Sequence, residues 1–115
     1  MTLEILLEYK HIIRSISVLK SVDRLLFSKL QLQVDLNDGS QLFIREIIIE
    51  NILSEYSYHW QDTEGALIWR WDKQEHHLNI TSYPYHKHLN NENNILACDE
   101  RNLKDVLAYV ESLIP

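Results

Sequence analysis

The stretch Leu30-Gln31-Leu32-Gln33-Val34-Asp35-Leu36-Asn37-Asp38-Gly39-Ser40-Gln41-Leu42-Phe43-Ile44-Arg45 decides the fold. Leu30, Leu32, Val34 and Leu36 alternate with Gln31, Gln33 and Asp35, the period-2 pattern of a strand with one buried face. Asn37-Asp38-Gly39-Ser40 then reverses the chain. A two-residue Asp38-Gly39 loop would set Leu32 opposite Arg45 and Leu36 opposite Gln41. A three-residue loop with Gly39 left-handed sets Val34 opposite Leu42 and Leu32 opposite Ile44. The second register gathers apolar side chains on one face, so the sequence predicts a bulged turn and a returning strand over about 41–50.

Outward from this hairpin, Ile5, Leu6, Tyr9, Ile12, Ile13 and Ile16 recur at helical spacing and predict a helix over 3–17 with Thr2 as its cap. β-branched Ile16, Val18 and Val22 weaken helix propensity at its end. On the other side, Tyr56–Gln61 and Leu67–Trp71 flank Asp62-Thr63-Glu64-Gly65, a second hairpin signal. The expected register sets Trp60 against Ile68, Tyr58 against Arg70 and Tyr56 against Asp72. Its opposite face would pair His59 with Trp69, Gln61 with Leu67 and Ser57 with Trp71. Leu78–Tyr83, ahead of Pro84, is a candidate fifth strand, and 89–100 reads as a polar loop. Leu103, Val106, Leu107, Val110 and Leu113-Ile114 predict a closing helix capped by Asp99 or Asn102. The expectation is an α+β domain over 1–115: N-terminal helix, four- to five-stranded antiparallel meander sheet, C-terminal helix, with the helices on one sheet face.

The chain has 115 residues, room for one domain of common size and one core. Its 45% apolar content is that of a globular domain, and a net charge of −6 argues against unspecific DNA coating. A single cysteine, Cys98, forms no internal disulfide, and no apolar run approaches the ~20 residues of a membrane span. With Glu4 and Glu8 inside its first apolar stretch, the start lacks signal-peptide character. A cytoplasmic protein without a membrane role is expected.

Chemistry-bearing residues are uneven. Residues 56–88 hold His59, His76, His77, His86 and His88, all three Trp and four of the six Tyr. That window carries Arg70, Lys73 and Lys87 against Asp62, Glu64, Asp72 and Glu75, a net of −1. The remaining −5 lies elsewhere and suits a basic partner segment.

The runs Tyr56-Ser57-Tyr58-His59-Trp60-Gln61-Asp62, Leu67-Ile68-Trp69-Arg70-Trp71-Asp72, His76-His77 and Tyr83-Pro84-Tyr85-His86-Lys87-His88 resemble the TumE-like family of toxins from prokaryotic toxin–antitoxin systems. The resemblance covers most of the chain. It departs where the family pattern has asparagine-alanine-proline and this chain has Lys73-Gln74-Glu75, and where Tyr85 stands in place of a histidine. It implies a toxin role and a cognate antitoxin that binds the toxin directly.

Three uses of the histidine cluster compete. Metal-independent RNA cleavage needs an acid, a base and a cation for the phosphate. His86, His88 and His76 are the candidate acid–base residues, Arg70 and Lys87 the candidate phosphate holders. Tyr58, Tyr85, Trp71 and His77 are the candidate substrate contacts. This reading requires no cofactor, and a metal-binding hydrolase is its alternative. Against a metal, adjacent His76-His77 would point oppositely on a strand, and no HExxH motif or second thiolate is present. The bland use makes Tyr56, Trp60 and Trp69 packing residues and His11 a surface residue, leaving a non-enzymatic protein that binds a host target. His59 fits either use, Asp72 and Glu75 do not form a glycosidase pair, and an oligomer is left open. Alternation past Pro84 puts His86 and His88 on one side and Lys87 on the other, extended into solvent. On that placement, His86→Ala and His88→Ala should change stability by only about 0.5 kcal/mol.

Overall fold

The computed structural model describes residues 2–73, 85–89, 95–97 and 102–114, with backbone alone at 85, 86, 89 and 95–97. The chain runs through α1 (Thr2–Glu8), a 3₁₀ turn (Lys10–Ile12), β1 (Ile13–Arg24), β2 (Phe27–Leu36), β3 (Gln41–Ile49), β4 (Ile52–Gln61), β5 (Leu67–Lys73), β6 (Tyr85–Leu89), β7 (Ile95–Ala97) and α2 (Leu103–Leu113). Among the described residues, the strands pair antiparallel with their sequence neighbours in one seven-stranded meander. The α+β class and the order helix, meander, helix are as expected. The strand count exceeds the expected four or five.

One extra strand comes from the predicted first helix. That helix stops at Glu8, and Ile13–Arg24 forms the long edge strand β1. Its β-branched residues favour the extended backbone, and it pairs with β2, Ile16 opposite Val34 and Val18 opposite Leu32. Thr2 lies inside α1, and its hydroxyl donates to Glu46 Oε1 at 2.5 Å rather than acting as a cap. The other additions come from the C-terminal half. Ile95–Ala97 is a strand within the segment read as loop, and the segment after Pro84 is β6, paired with both β5 and β7. The candidate strand Leu78–Tyr83 lies outside the described residues, as does Cys98.

The first hairpin has the expected register, with Leu32 opposite Ile44 and Val34 opposite Leu42. Gly39 sits at φ 90°, the left-handed conformation that the bulged turn requires. The second hairpin is shifted by one residue from expectation. Trp60 pairs with Trp69, Tyr58 with Trp71, His59 with Arg70, Ser57 with Asp72 and Tyr56 with Lys73, while Gln61 opposite Leu67 is as expected. A bulge at Ile68 takes up the difference. The physical reason is facial. The expected register would have brought Arg70 beside Tyr58 on the core face. The observed one puts Trp69 and Trp71 there and sends Arg70 and Asp72 to the other side.

Leu32, Val34, Leu36, Leu42, Ile44, Tyr56, Tyr58, Trp60 and Trp71 form the sheet side of the core, against Leu6 and Ile12 near the N-terminus and Leu103, Val106, Leu107 and Val110 of α2. Asn102 caps α2 in a capping box, its Oδ1 accepting from the Asp105 amide at 2.8 Å. Both helices therefore cover one face of the sheet. Among the described residues, no helix covers the other.

Candidate functional site

Because side chains alternate, β3 to β6 sort the candidate residues onto two faces. On the helix-covered face, Tyr58 is fully buried, and its hydroxyl donates to Glu46 Oε2 at 2.6 Å. Trp71 is 6% exposed and stacks on Trp69 at 5.7 Å between centroids, with Tyr109 of α2 meeting both rings edge-on. Lys87 shares this side, its Nζ 5.0 Å from the Trp69 ring centroid. Trp69, Trp71, Lys87, Asp105, Val106 and Tyr109 line a narrow cleft of about 140 Å³ there.

On the face that no described helix covers, two rows run across the strands. Phe43, His59, Arg70 and His88 make one row, and Arg45, Ser57, Asp72 and position 86 the next. Asp72 and His88 are buried, at 1% and 5% exposure. Asp72 Oδ2 lies 2.9 Å from His88 Nε2, and Arg70 Nε donates to Asp72 Oδ1 at 3.1 Å. A buried carboxylate is costly unless it is paired and hydrogen-bonded, and these two partners meet that need. They also fix the orientation of the imidazole and the guanidinium. Beside them, Leu19, Gln31, Phe43, Arg45, Ser57, His59 and Arg70 line a cleft of about 260 Å³. His59 Nε2 is 3.1 Å from Gln61 Oε1, and its ring meets Phe43 edge-on at 6.1 Å.

The candidate residues thus divide. Arg70 and His88 come together, and His86 occupies the register position opposite Asp72. Lys87, Tyr58 and Trp71 lie on the other face, and the expected Tyr58–Arg70 contact is absent because the hairpin register differs. Tyr85 pairs with Lys73 in the backbone register. His76, His77 and Glu75 lie outside the described residues. The expectation that the segment after Pro84 runs into solvent is corrected at His88, which is buried in a paired strand.

Sequence reasoning missed Asp72 as the residue holding His88, and Arg45 and Phe43 as cleft residues. Arg45 and Phe43 were legible as the polar-side alternates of β3 but stand outside the histidine-rich window. His11, read as a surface residue, is exposed and its Nε2 lies 2.5 Å from Glu111 Oε2, tying the 3₁₀ turn to α2. Among the described residues, no group of three or more His, Cys, Asp and Glu side chains is placed to hold a metal ion. No described helix is long and apolar enough to cross a membrane.

Comparison with known proteins places this geometry in a family. No curated protein and no solved structure matches the chain. The family model described as toxin TumE matches residues 2–114, the helices, the meander and both sheet faces together. The chain belongs to the TumE toxin family, whose members are toxins of toxin–antitoxin systems.

Proposed function

We propose that the chain is a cytoplasmic endoribonuclease toxin that works without a metal and is held inactive by direct binding of its cognate antitoxin. The observation that carries this reading is the unit His88–Asp72–Arg70 on the sheet face that no described helix covers. It sets an imidazole and a guanidinium in fixed orientation next to a cleft.

The chemistry is in-line attack by a ribose 2′-hydroxyl on the adjacent phosphorus. The 2′ oxygen–phosphorus bond forms and the phosphorus–5′ oxygen bond breaks. One imidazole takes the 2′ proton, and a second group delivers a proton to the leaving 5′ oxygen. The products are a 2′,3′-cyclic phosphate and a 5′-hydroxyl. In this reading His88, held by Asp72, is one proton carrier, and His86, at the register position opposite Asp72, is the other. His76 is the remaining candidate. Arg70 balances the charge that builds on the phosphoryl oxygens. Lys87 takes no part from its place over Trp69. The bound antitoxin blocks access to the cleft beside Arg70.

The test is toxicity on expression without antitoxin, for the wild type and for His88→Gln. Glutamine can still donate to Asp72 but does not titrate. Loss of toxicity with an unchanged melting temperature supports the reading. Full toxicity of the folded variant contradicts it and favours a protein that acts by binding a host target.

A further inference from the structure

We infer that the row Phe43–His59–Arg70, with Arg45 beside it, is a binding track for single-stranded RNA that leads to His88. This rests on the ribonuclease reading above and names the form of its substrate. The track is built from the sequence upward. Phe43 and Arg45 are consecutive polar-side alternates of β3, so both project from the face opposite Leu42 and Ile44, which are buried in the core. The observed registers extend each residue across the sheet. Phe43 pairs with His59, His59 with Arg70 and Arg70 with His88, while Arg45 pairs with Ser57 and Ser57 with Asp72. Cross-strand neighbours stand about 5 Å apart, so four adjacent strands present a continuous ledge.

The lining chemistry selects the ligand. Among the described residues, the charged side chains that line the cleft are Arg45 and Arg70, both guanidinium groups suited to phosphate. Arg70 is ion-paired through its Nε with the buried Asp72, so it brings oriented N–H donors to the cleft and Arg45 brings the second guanidinium. Phe43 is half-buried, with His59 against it edge-on, so its ring is braced while its side chain still lines the cleft. An aromatic ring braced in a cleft beside guanidinium groups is the combination that stacks an unpaired base and holds its phosphate. A paired base keeps its faces inside the duplex, so the ledge favours unpaired RNA. The protein's overall net charge of −6 limits unspecific electrostatic binding and leaves the oriented guanidinium donors of Arg45 and Arg70 to do the selecting.

The experiment measures fluorescence anisotropy of a short single-stranded oligoribonucleotide, 2′-O-methylated so that it cannot be cleaved, and of its duplex form. The variants are Arg45→Ala, Phe43→Leu, which keeps apolar volume without a ring, and Lys104→Ala on α2 as control. Wild type should bind the single strand more tightly than the duplex. Phe43→Leu and Arg45→Ala should each weaken binding roughly tenfold, and Arg45→Ala should lower the salt slope by about one. Lys104→Ala should bind as wild type. Three results overturn the track: no single-strand binding by wild type, unchanged binding in both variants, or unchanged RNA binding with weakened antitoxin binding, which would assign the row to the partner. Cleavage of ordinary RNA is scored separately. Cleavage that His88→Gln abolishes, with binding indifferent to Phe43 and Arg45, keeps the ribonuclease reading and removes the track. Binding as expected without cleavage keeps the track and removes the ribonuclease reading.

Discussion

His88 Nε2 lies 2.9 Å from Asp72 Oδ2, and both side chains are buried on adjacent strands although each is a polar residue in a sheet with an apolar core on its other face. This relationship replaces the expectation that His88 is dispensable for folding. Truncating one partner of a buried carboxylate leaves the other without its bond, at a cost of about 1–3 kcal/mol. His88→Ala should therefore lower stability by that amount, several times the 0.5 kcal/mol expected of a solvent-facing histidine. Denaturant titration of His88→Ala, Asp72→Asn and the double variant checks this. Non-additive losses are expected, and strictly additive ones would remove the coupling.

Tyr58 and Glu46 form a second buried polar pair, on the helix-covered face, with Thr2 as the other donor to the carboxylate. Tyr58→Phe should cost about 1–3 kcal/mol through the carboxylate left short of a donor. Measured per folded molecule, toxicity should not change, because Tyr58 is separated from Arg70 by the sheet. A toxicity loss in a variant that melts like wild type would return Tyr58 to the site.

The two turn glycines should differ in tolerance. Both have positive φ, 90° at Gly39 and 85° at Gly65, so alanine strains either backbone by roughly 1 kcal/mol. At Gly39 a new Cβ would also meet Thr63 Cγ2 at 2.7 Å, whereas at Gly65 the nearest atom is Gln61 Nε2 at 3.9 Å. Gly39→Ala should lose more stability than Gly65→Ala by thermal melting, and Thr63→Ser should recover part of the difference.

How much of this was legible in the sequence follows from what each signal depends on. The first hairpin was readable to the register because Leu30–Leu36 alternates without a break, Leu42 and Ile44 match its apolar face in one register only, and Gly39 marks the turn. The second was not, because a bulge at Ile68 depends on which face takes Trp69 and Trp71, a matter of tertiary packing. The same limit explains β1. Ile12, Ile13 and Ile16 satisfy helical spacing and β-branched strand preference at once, and pairing with β2 decides between them. For the site, residue types in the histidine-rich window pointed to Arg70 and His88. They did not reveal that Lys87, Tyr58 and Trp71 stand behind the sheet, since facing depends on register. Arg45 escaped as an ordinary solvent-side alternate, and Phe43, an apolar residue on that same side, escaped because it lies outside the histidine-rich window.

Asp35 ties three strands together. Its carboxylate accepts from Gln33 at 3.1 Å, Gln41 at 3.0 Å and Ser15 at 2.9 Å. These bonds, Gln33 first, with Arg14 nearby, hold its pKa below the ordinary value. A depressed carboxylate stabilises the fold above its unfolded pKa, and that stabilisation is lost as pH falls through the folded value. Asp35→Asn should thus be less stable than wild type at neutral pH, by under about 1 kcal/mol for so accessible a group. The gap should close in strong acid. Chemical denaturation at neutral and acid pH checks this, and a gap independent of pH would contradict the ionic account.

The central claim is that the sheet face carrying Arg70 and His88 cuts RNA with its own side chains, and the most direct measurement is end-group analysis of RNA incubated with purified protein in excess chelator. The account predicts fragments ending in 2′,3′-cyclic phosphate and 5′-hydroxyl, and a fall in rate of about 100-fold or more in His88→Gln at unchanged melting temperature. A wild-type protein that is toxic in cells yet leaves RNA intact, or a folded His88→Gln that cuts at the wild-type rate, would contradict it.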